Sequence, residues 1–284
     1  MTILKVENLT KSYDKFKLDN VSFSLEEGYI MGFIGKNGAG KTTTLKSIFN
    51  ILSYDSGSIY YKDELISPEN ELKMKQEIGL SLNGIEYFST YRLKAILDVT
   101  KRFYKTWNNE YCQYLLDKFT LDTNKKYKEL SNGMKTKFNL VLALSHDAKL
   151  LLLDEPTSGL DPFSRDEILS LFQEIIKNGD KSIIFSTQII SDLEEIADYI
   201  TYIKNGKIVK STDKDTFKDS YLLIKGGKEE YQLLDSIPVI GNRITDYNFE
   251  ALIDSSDIDK VDRNLQIEKP TIEQIMILSE RGAR

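Results

Sequence analysis

Apolar residues along this chain fall into two patterns. Apolar runs at 29–34, 78–82 and 150–153 predict short strands buried on both faces, and 182–187 reads as the next buried strand. Val21, Phe23 and Leu25 instead alternate with polar residues, which predicts a strand with one wet face beside a first strand at 3–9. Residues 54–58 read as a turn into another strand at 59–61. Residues 199–203, Asn205-Gly206 and Ile208-Val209 read as a hairpin on a type I′ turn.

Helical spacing appears between these runs. Leu45, Ile48 and Phe49 follow the run at 29–34. Leu93, Ile96, Leu97, Phe103, Tyr104 and Trp107 predict one amphipathic helix over 93–107, with Lys94, Lys101, Arg102 and Lys105 on its wet face. A second helix carries Tyr111, Tyr114, Leu115 and Phe119, and a third Phe138, Val141, Leu142 and Leu144 behind an N-cap at Ser131. Asp161 as N-cap and Pro162 at the first position open a helix whose core face is Ile168, Leu169, Phe172, Ile175 and Ile176. Strands alternating with helices predict an α/β fold around a parallel sheet. A helical insertion at about 84–130 interrupts a domain spanning 1–210. Beyond it the pattern weakens into short strands at 221–224, 230–234 and 251–253, then a helix opened by a capping box at Thr271. Residues 211–284 therefore read as a small α/β appendage.

The strongest chemical signal follows the first buried run. Gly35, Lys36, Asn37, Gly38, Ala39, Gly40, Lys41 and Thr42, with Thr43 behind them, fit G-x-x-x-x-G-K-[ST] between a strand end and a helix start. Glycines let backbone N–H groups turn inward on phosphate oxygens, and the helix adds further N–H donors. Lys41 is expected to reach the β- and γ-phosphates of a nucleotide, and the Thr42 hydroxyl a bridging Mg²⁺. The run at 150–153 ends in Asp154-Glu155-Pro156, where open α/β sheets bind ligands. Asp154 is expected to hold the metal and Glu155 to polarise a water. Tyr13 reads either as a surface aromatic or as a platform for a purine ring; the phosphate loop favours the second.

Charge and composition narrow the partners. A net charge of −6 disfavours nucleic acid. The lone Cys112 excludes an internal disulfide and reads as a buried small hydrophobe. The lone His146 cannot make a metal site and lies away from the strand ends. Residues 1–10 carry no apolar signal segment, and no apolar run is long enough to span a bilayer. A cytosolic protein is expected, with any membrane crossing left to another chain.

Four segments stand together in one order: GKNGAGKTT at 35–43, LSNGM at 130–134, LLLLDEP at 150–156 and SGLD at 158–161. On these, residues 1–210 resemble the ATP-binding cassette (ABC) family of transporter ATPases. The resemblance implies a P-loop NTPase core with an antiparallel β subdomain, the helical insertion and the C-terminal appendage. It implies ATP and Mg²⁺ as cofactors and an integral membrane permease as partner. It also implies a second cassette, identical or different, stacked head to tail, and a cytoplasmic position at the inner face of the membrane. It adds Ser131, Gly133 and Asp161 to the nucleotide-contacting residues, with Ser131 and Gly133 capping the γ-phosphate held by the other cassette. Two positions depart from the family pattern. Asn83 stands where a Gln usually contacts the metal and the attacking water, and Gln188 stands where a His usually contacts the γ-phosphate. The implied activity is ATP hydrolysis driving export, with peptides or other amphipathic compounds as cargo. The two departures leave a weakly hydrolysing regulatory cassette as the alternative.

Overall fold

The computed structural model describes residues 1–82 and 89–282. In chain order its elements are β1 (Thr2–Tyr13), β2 (Phe16–Glu26), β3 (Ile30–Ile34), α1 (Lys41–Ile48), β4 (Ser56–Tyr61), β5 (Glu64–Leu65), α2 (Glu71–Glu77) and β6 (Ile78–Ser81). Then follow α3 (Leu93–Thr100), α4 (Asn109–Lys118), α5 (Asn132–Leu144), β7 (Leu150–Asp154), α6 (Pro162–Ile176), β8 (Ser182–Thr187), α7 (Ile190–Ile196), β9 (Tyr199–Lys204) and β10 (Lys207–Asp213). The remainder holds α8 (Lys214–Asp219), β11 (Tyr221–Gly227), β12 (Val239–Ile244), β13 (Asn248–Asp254), β14 (Gln266–Glu268) and α9 (Ile272–Arg281). Contacts divide the chain into two compact units, Met1–Ser211 and Thr212–Arg284.

The first unit is built on a six-stranded sheet in the order β10-β9-β3-β8-β7-β6. Strands β9, β3, β8, β7 and β6 run parallel. Every residue of β3, β7 and β8 is buried; β3 and most of β7 therefore read as apolar runs rather than alternating ones, while β8 buries Ser182, Ser186 and Thr187 beside its apolar centre. A four-stranded antiparallel sheet, β2-β1-β4-β5, lies over it. Strand β2 alternates as its sequence predicts, with Val21, Phe23 and Leu25 inward. Phe23 meets Phe33 of the parallel sheet with ring centroids 5.5 Å apart, joining the two sheets in one core. Strand β1 extends to Tyr13, beyond the expected 3–9, because pairing with β2 continues to Tyr13 opposite Phe16. The β9–β10 turn has Asn205 and Gly206 both at positive φ, as a type I′ turn requires.

The segment 93–107 is not one helix. Helix α3 stops at Thr100, and Arg102 and Phe103 donate only to carbonyls three residues back. The Gln76 side chain then takes over the backbone, donating to the Phe103 carbonyl at 2.6 Å and accepting from Lys105 N–H at 2.9 Å. Tyr104 leaves the helical stripe to stack on His146, with centroids 3.8 Å apart. Phe103 is left 70% exposed, so the apolar period outruns the helix it predicts. In α4 the buried stripe is Cys112, Leu115 and Leu116, continued by Phe119, while Tyr114 turns outward against Tyr111.

The second unit carries a four-stranded antiparallel sheet, β12-β13-β11-β14. Helix α9 lies against β12 so closely that a Cβ on Gly241 would come within 1.9 Å of the Leu278 carbonyl. Its capping box forms as expected, Thr271 accepting from Gln274 N–H at 3.1 Å. Residues 230–234 are not a strand. The Glu230 carboxylate accepts the Gly227 N–H at 2.6 Å, curling the chain into a 3₁₀ turn that buries Leu234.

Candidate functional site

The C-terminal edge of the parallel sheet gathers the predicted chemistry. Register sets Asp154 of β7 opposite Ser186 of β8, and Ile34 of β3 opposite Thr187. The three strands end at one edge, with β8 between β3 and β7, and the phosphate loop leaves from β3.

Two glycines shape that loop. Gly40, the N-cap of α1, has φ 116° and no side chain to occupy the first-turn N–H groups, which leaves them for an anion. Gly35 is needed for space: a Cβ there would meet the Ile203 carbonyl oxygen at 2.3 Å. Ala39 N–H donates to the Lys36 carbonyl at 3.0 Å, closing the turn. Gly206 of the β9–β10 hairpin donates to the Ala39 carbonyl at 3.0 Å, propping the loop from below. Lys36, Asn37 and Gly38 are exposed at the rim, while Thr43 is half-buried at the start of the helix.

Lys41 is only 5% exposed. Its ammonium folds back over the loop and donates to the carbonyls of Gly35 at 2.7 Å and Lys36 at 3.2 Å. Burial pulls its pKa below the ordinary lysine value, and the Glu155 and Asp154 carboxylates oppose that shift. The nearest Glu155 oxygen is 3.9 Å away. Thr42 Oγ1 donates to both Asp154 oxygens, at 2.9 and 3.1 Å. Ser186 Oγ donates to Asp154 Oδ1 at 2.6 Å. A buried carboxylate flanked by two hydroxyls is a hard, all-oxygen donor set, which suits a small divalent cation such as Mg²⁺. Thr42 and Asp154 are the residues that could hold it.

Glu155 adopts a left-handed backbone conformation, φ 48°, uncommon for a side chain of this size. Its N–H is held by Ser186, through the carbonyl at 3.1 Å and Oγ at 3.0 Å. The reversal turns the carboxylate back over the strand ends toward Lys41. Gln188 follows directly after β8 and is exposed. Asn83, the other expected contact to the metal and water, lies outside the described residues.

The remaining predicted residues lie at the surface of the same unit. Tyr13 is 45% exposed, next to Phe16 at 6.2 Å, with the Lys11 ammonium 5.8 Å from its ring. Ser131 caps α5, accepting from Met134 N–H at 3.2 Å. Both Ser131 and the next residue are exposed, and Gly133 is half-buried beside Leu160. Asp161 caps α6 through Phe163 and Ser164 N–H, at 3.1 and 3.0 Å. The Ser164 N–H holds its carboxyl below the ordinary aspartate range. Among the described residues, the Ser131 and Asp161 side chains bond the first-turn N–H groups of their own helices.

Sequence reasoning missed a buried cluster behind the site. Asp192, fully buried in the first turn of α7, accepts from Thr157 Oγ1 at 2.6 Å and pairs with the Arg165 guanidinium. No local motif marks these residues.

A family model for "ABC transporter" matches residues 18–158. The ABC transporter ATP-binding protein YtrB of Bacillus subtilis is 31% identical over 224 residues, 78% of this chain and 76% of that protein. The bacitracin transport ATP-binding protein BcrA of Bacillus licheniformis is 31% identical over 224 residues, covering 76% of this chain and 72% of that protein. A solved structure of an ATP-binding subunit of an ABC transporter superposes with a TM-score of 0.69 at 25% identity, over 76% of this chain and 92% of that one. Among the described residues no helix is long and apolar enough to cross a membrane.

Proposed function

This chain belongs to the ABC transporter family as an ATP-binding, ATP-hydrolysing subunit, and we propose that it powers an exporter through a separate membrane-spanning permease. The observation that carries the reading is the meeting of two distant segments at one sheet edge. Thr42 bonds Asp154 across 112 residues, and Lys41 stands 3.9 Å from Glu155. On this reading the phosphate loop cradles the ATP phosphates, and Lys41 exchanges its loop carbonyls for β- and γ-phosphate oxygens. Thr42 and Asp154 would hold Mg²⁺. Bound there, the ion supplies positive charge against the phosphate oxygens.

Glu155 orients and deprotonates the attacking water, and Gln188 donates a hydrogen bond to the γ-phosphate. Tyr13 carries the purine ring. Ser131, Gly133 and Asp161 face a second cassette, identical or different, stacked head to tail, so that the exposed cap of α5 completes the partner's phosphate site. The family likeness and the exposure of Ser131 support this arrangement. ATP binding favours the closed pair by its differential affinity, and hydrolysis reopens it. The protein then works in the cytoplasm, peripheral to the inner face of the membrane. Similarity to a bacitracin transport protein supports peptides or other amphipathic compounds as cargo.

Mg-ATP turnover of the native chain beside Glu155→Gln and Gln188→His tests the reading. Turnover in the native chain and none in Glu155→Gln is the expected result, together with an ATP-bound dimer of Glu155→Gln on size exclusion. A gain in Gln188→His would mean that Gln188 slows the γ-phosphate step. Turnover in Glu155→Gln equal to the native rate would overturn the role of Glu155.

A further inference from the structure

The Asp192 carboxylate is fully buried, yet its partners come from three separate segments. Thr157, two residues after Glu155, donates from Oγ1 at 2.6 Å. Arg165, from the second turn of the helix that Asp161 caps, supplies the guanidinium and also bonds Ser191. Thr187, the residue before Gln188, stands with Oγ1 at 3.5 Å. That same Thr187 oxygen accepts the Ile189 N–H at 2.9 Å, so its side chain brackets Gln188 on the far side.

Each segment needs an outside anchor. Glu155 leaves the strand in the left-handed region, and Ser186 fixes only its N–H. The chain beyond it returns to the core at Thr157, which is 1% exposed and ends on Asp192. Gln188 sits on an exposed turn between β8 and α7, with no strand pairing of its own. One carboxylate therefore ties down the loop after the proposed base, the helix behind Asp161 and the turn that carries Gln188. Arg165 balances its charge, as a buried carboxylate requires.

We infer that Asp192 is a positioning residue for ATP hydrolysis: through Thr157, Arg165 and Thr187 it holds Glu155 and Gln188 in register across the γ-phosphate. The inference rests on the reading of Glu155 and Gln188 given above. Asp192 touches no nucleotide, so its loss acts on the chemical step and not on binding. A misplacement of about 1 Å at a reacting group can cost ~100-fold in rate.

The test is steady-state Mg-ATP turnover of the full chain with four variants: Asp192→Asn, Thr157→Val, Thr157→Ser and Glu155→Gln. Asp192→Asn and Thr157→Val are expected to lower kcat by ~10–100-fold while KM for ATP moves less than ~2-fold. Thr157→Ser keeps the hydroxyl and should return kcat to within ~3-fold of native. A packing role alone would not separate Ser from Val in kcat at constant KM. If Asp192→Asn fails to fold, the Thr157 pair decides alone, since Val matches Thr in shape. A dead Glu155→Gln beside a Thr157→Val with native kcat overturns the positioning role and leaves the reading of Glu155 intact. A Glu155→Gln that turns over at the native rate removes that reading, and this inference with it.

Discussion

Replacing Ser186 with alanine probes how the Asp154 carboxylate, the proposed metal ligand, is held. Ser186 is fully buried, and its hydroxyl has two tasks: it donates to Asp154 Oδ1 at 2.6 Å and accepts the Glu155 N–H at 3.0 Å. The second task survives the substitution, because the Ser186 carbonyl also accepts that N–H, at 3.1 Å. The first does not. A hydrogen bond to an ionised group contributes ~1.5–3 kcal/mol. Asp154 is only 5% exposed, so water replaces the lost donor poorly. For a unit of this size each kcal/mol moves the midpoint by ~2–4 °C, so the expected drop is ~3–12 °C without nucleotide. Trp107 is the only tryptophan and lies in the first unit, so its fluorescence reports that unit's melting. Thr42→Val removes the other hydroxyl donor to Asp154. Because the two donors share one carboxylate, the double variant should lose more than the sum of the singles by at least ~0.5 kcal/mol. A Ser186→Ala midpoint within ~1 °C of native, or strict additivity with Thr42→Val, would refute the claim that these hydroxyls together hold Asp154.

Further predictions concern the loop and the buried histidine. Gly35→Ala sets a Cβ 2.3 Å from the Ile203 carbonyl and should abolish ATP binding in calorimetry, whereas Gly38→Ala meets open space. At Gly38 only the cost of φ 81° applies, ~1–2 kcal/mol in stability, so Gly38→Ala should bind ATP more tightly than Gly35→Ala. Among the described residues neither ring nitrogen of His146 makes a hydrogen bond of good geometry, and burial, only partly opposed by the nearby Ile78 and Leu142 backbone, pushes its pKa down to about 4 from 6.5. The unfolded chain therefore holds more protons across that window, so this contribution to stability is complete above pH 6.5 and is lost as the pH falls toward 4. His146→Phe keeps a ring against Tyr104 and should remove up to ~1.4 kcal/mol per pH unit of that dependence, read as the native-minus-variant urea stability at several pH values.

What the sequence discloses here depends on how far apart the cooperating residues lie. The phosphate loop and the Asp154-Glu155 pair are legible because their chemistry is local: the loop closes on itself, and a buried strand ends in two carboxylates. Strands β3 and β7 are legible for the same reason, since burial on both faces writes itself as an apolar run. The segment 93–107 misleads because its apolar period continues where the chain has already been captured elsewhere, by Gln76 on the backbone and by His146 on Tyr104. Residues 230–234 mislead because a single carboxylate, Glu230, curls a strand-like run into a turn. The Asp192 cluster is the harder case. Thr157, Arg165 and Asp192 are ordinary residues in ordinary places, and their meaning arises only when folding closes separations of 35 and 27 residues. A buried carboxylate with partners from both sides of a proposed catalytic loop is thus a feature that the fold creates. The same holds for Ser186, whose hydroxyl matters only because strand register sets it against Asp154. In this chain the groups proposed to touch nucleotide are written as motifs, and the groups proposed to aim them are written only in the contacts that folding makes between distant segments.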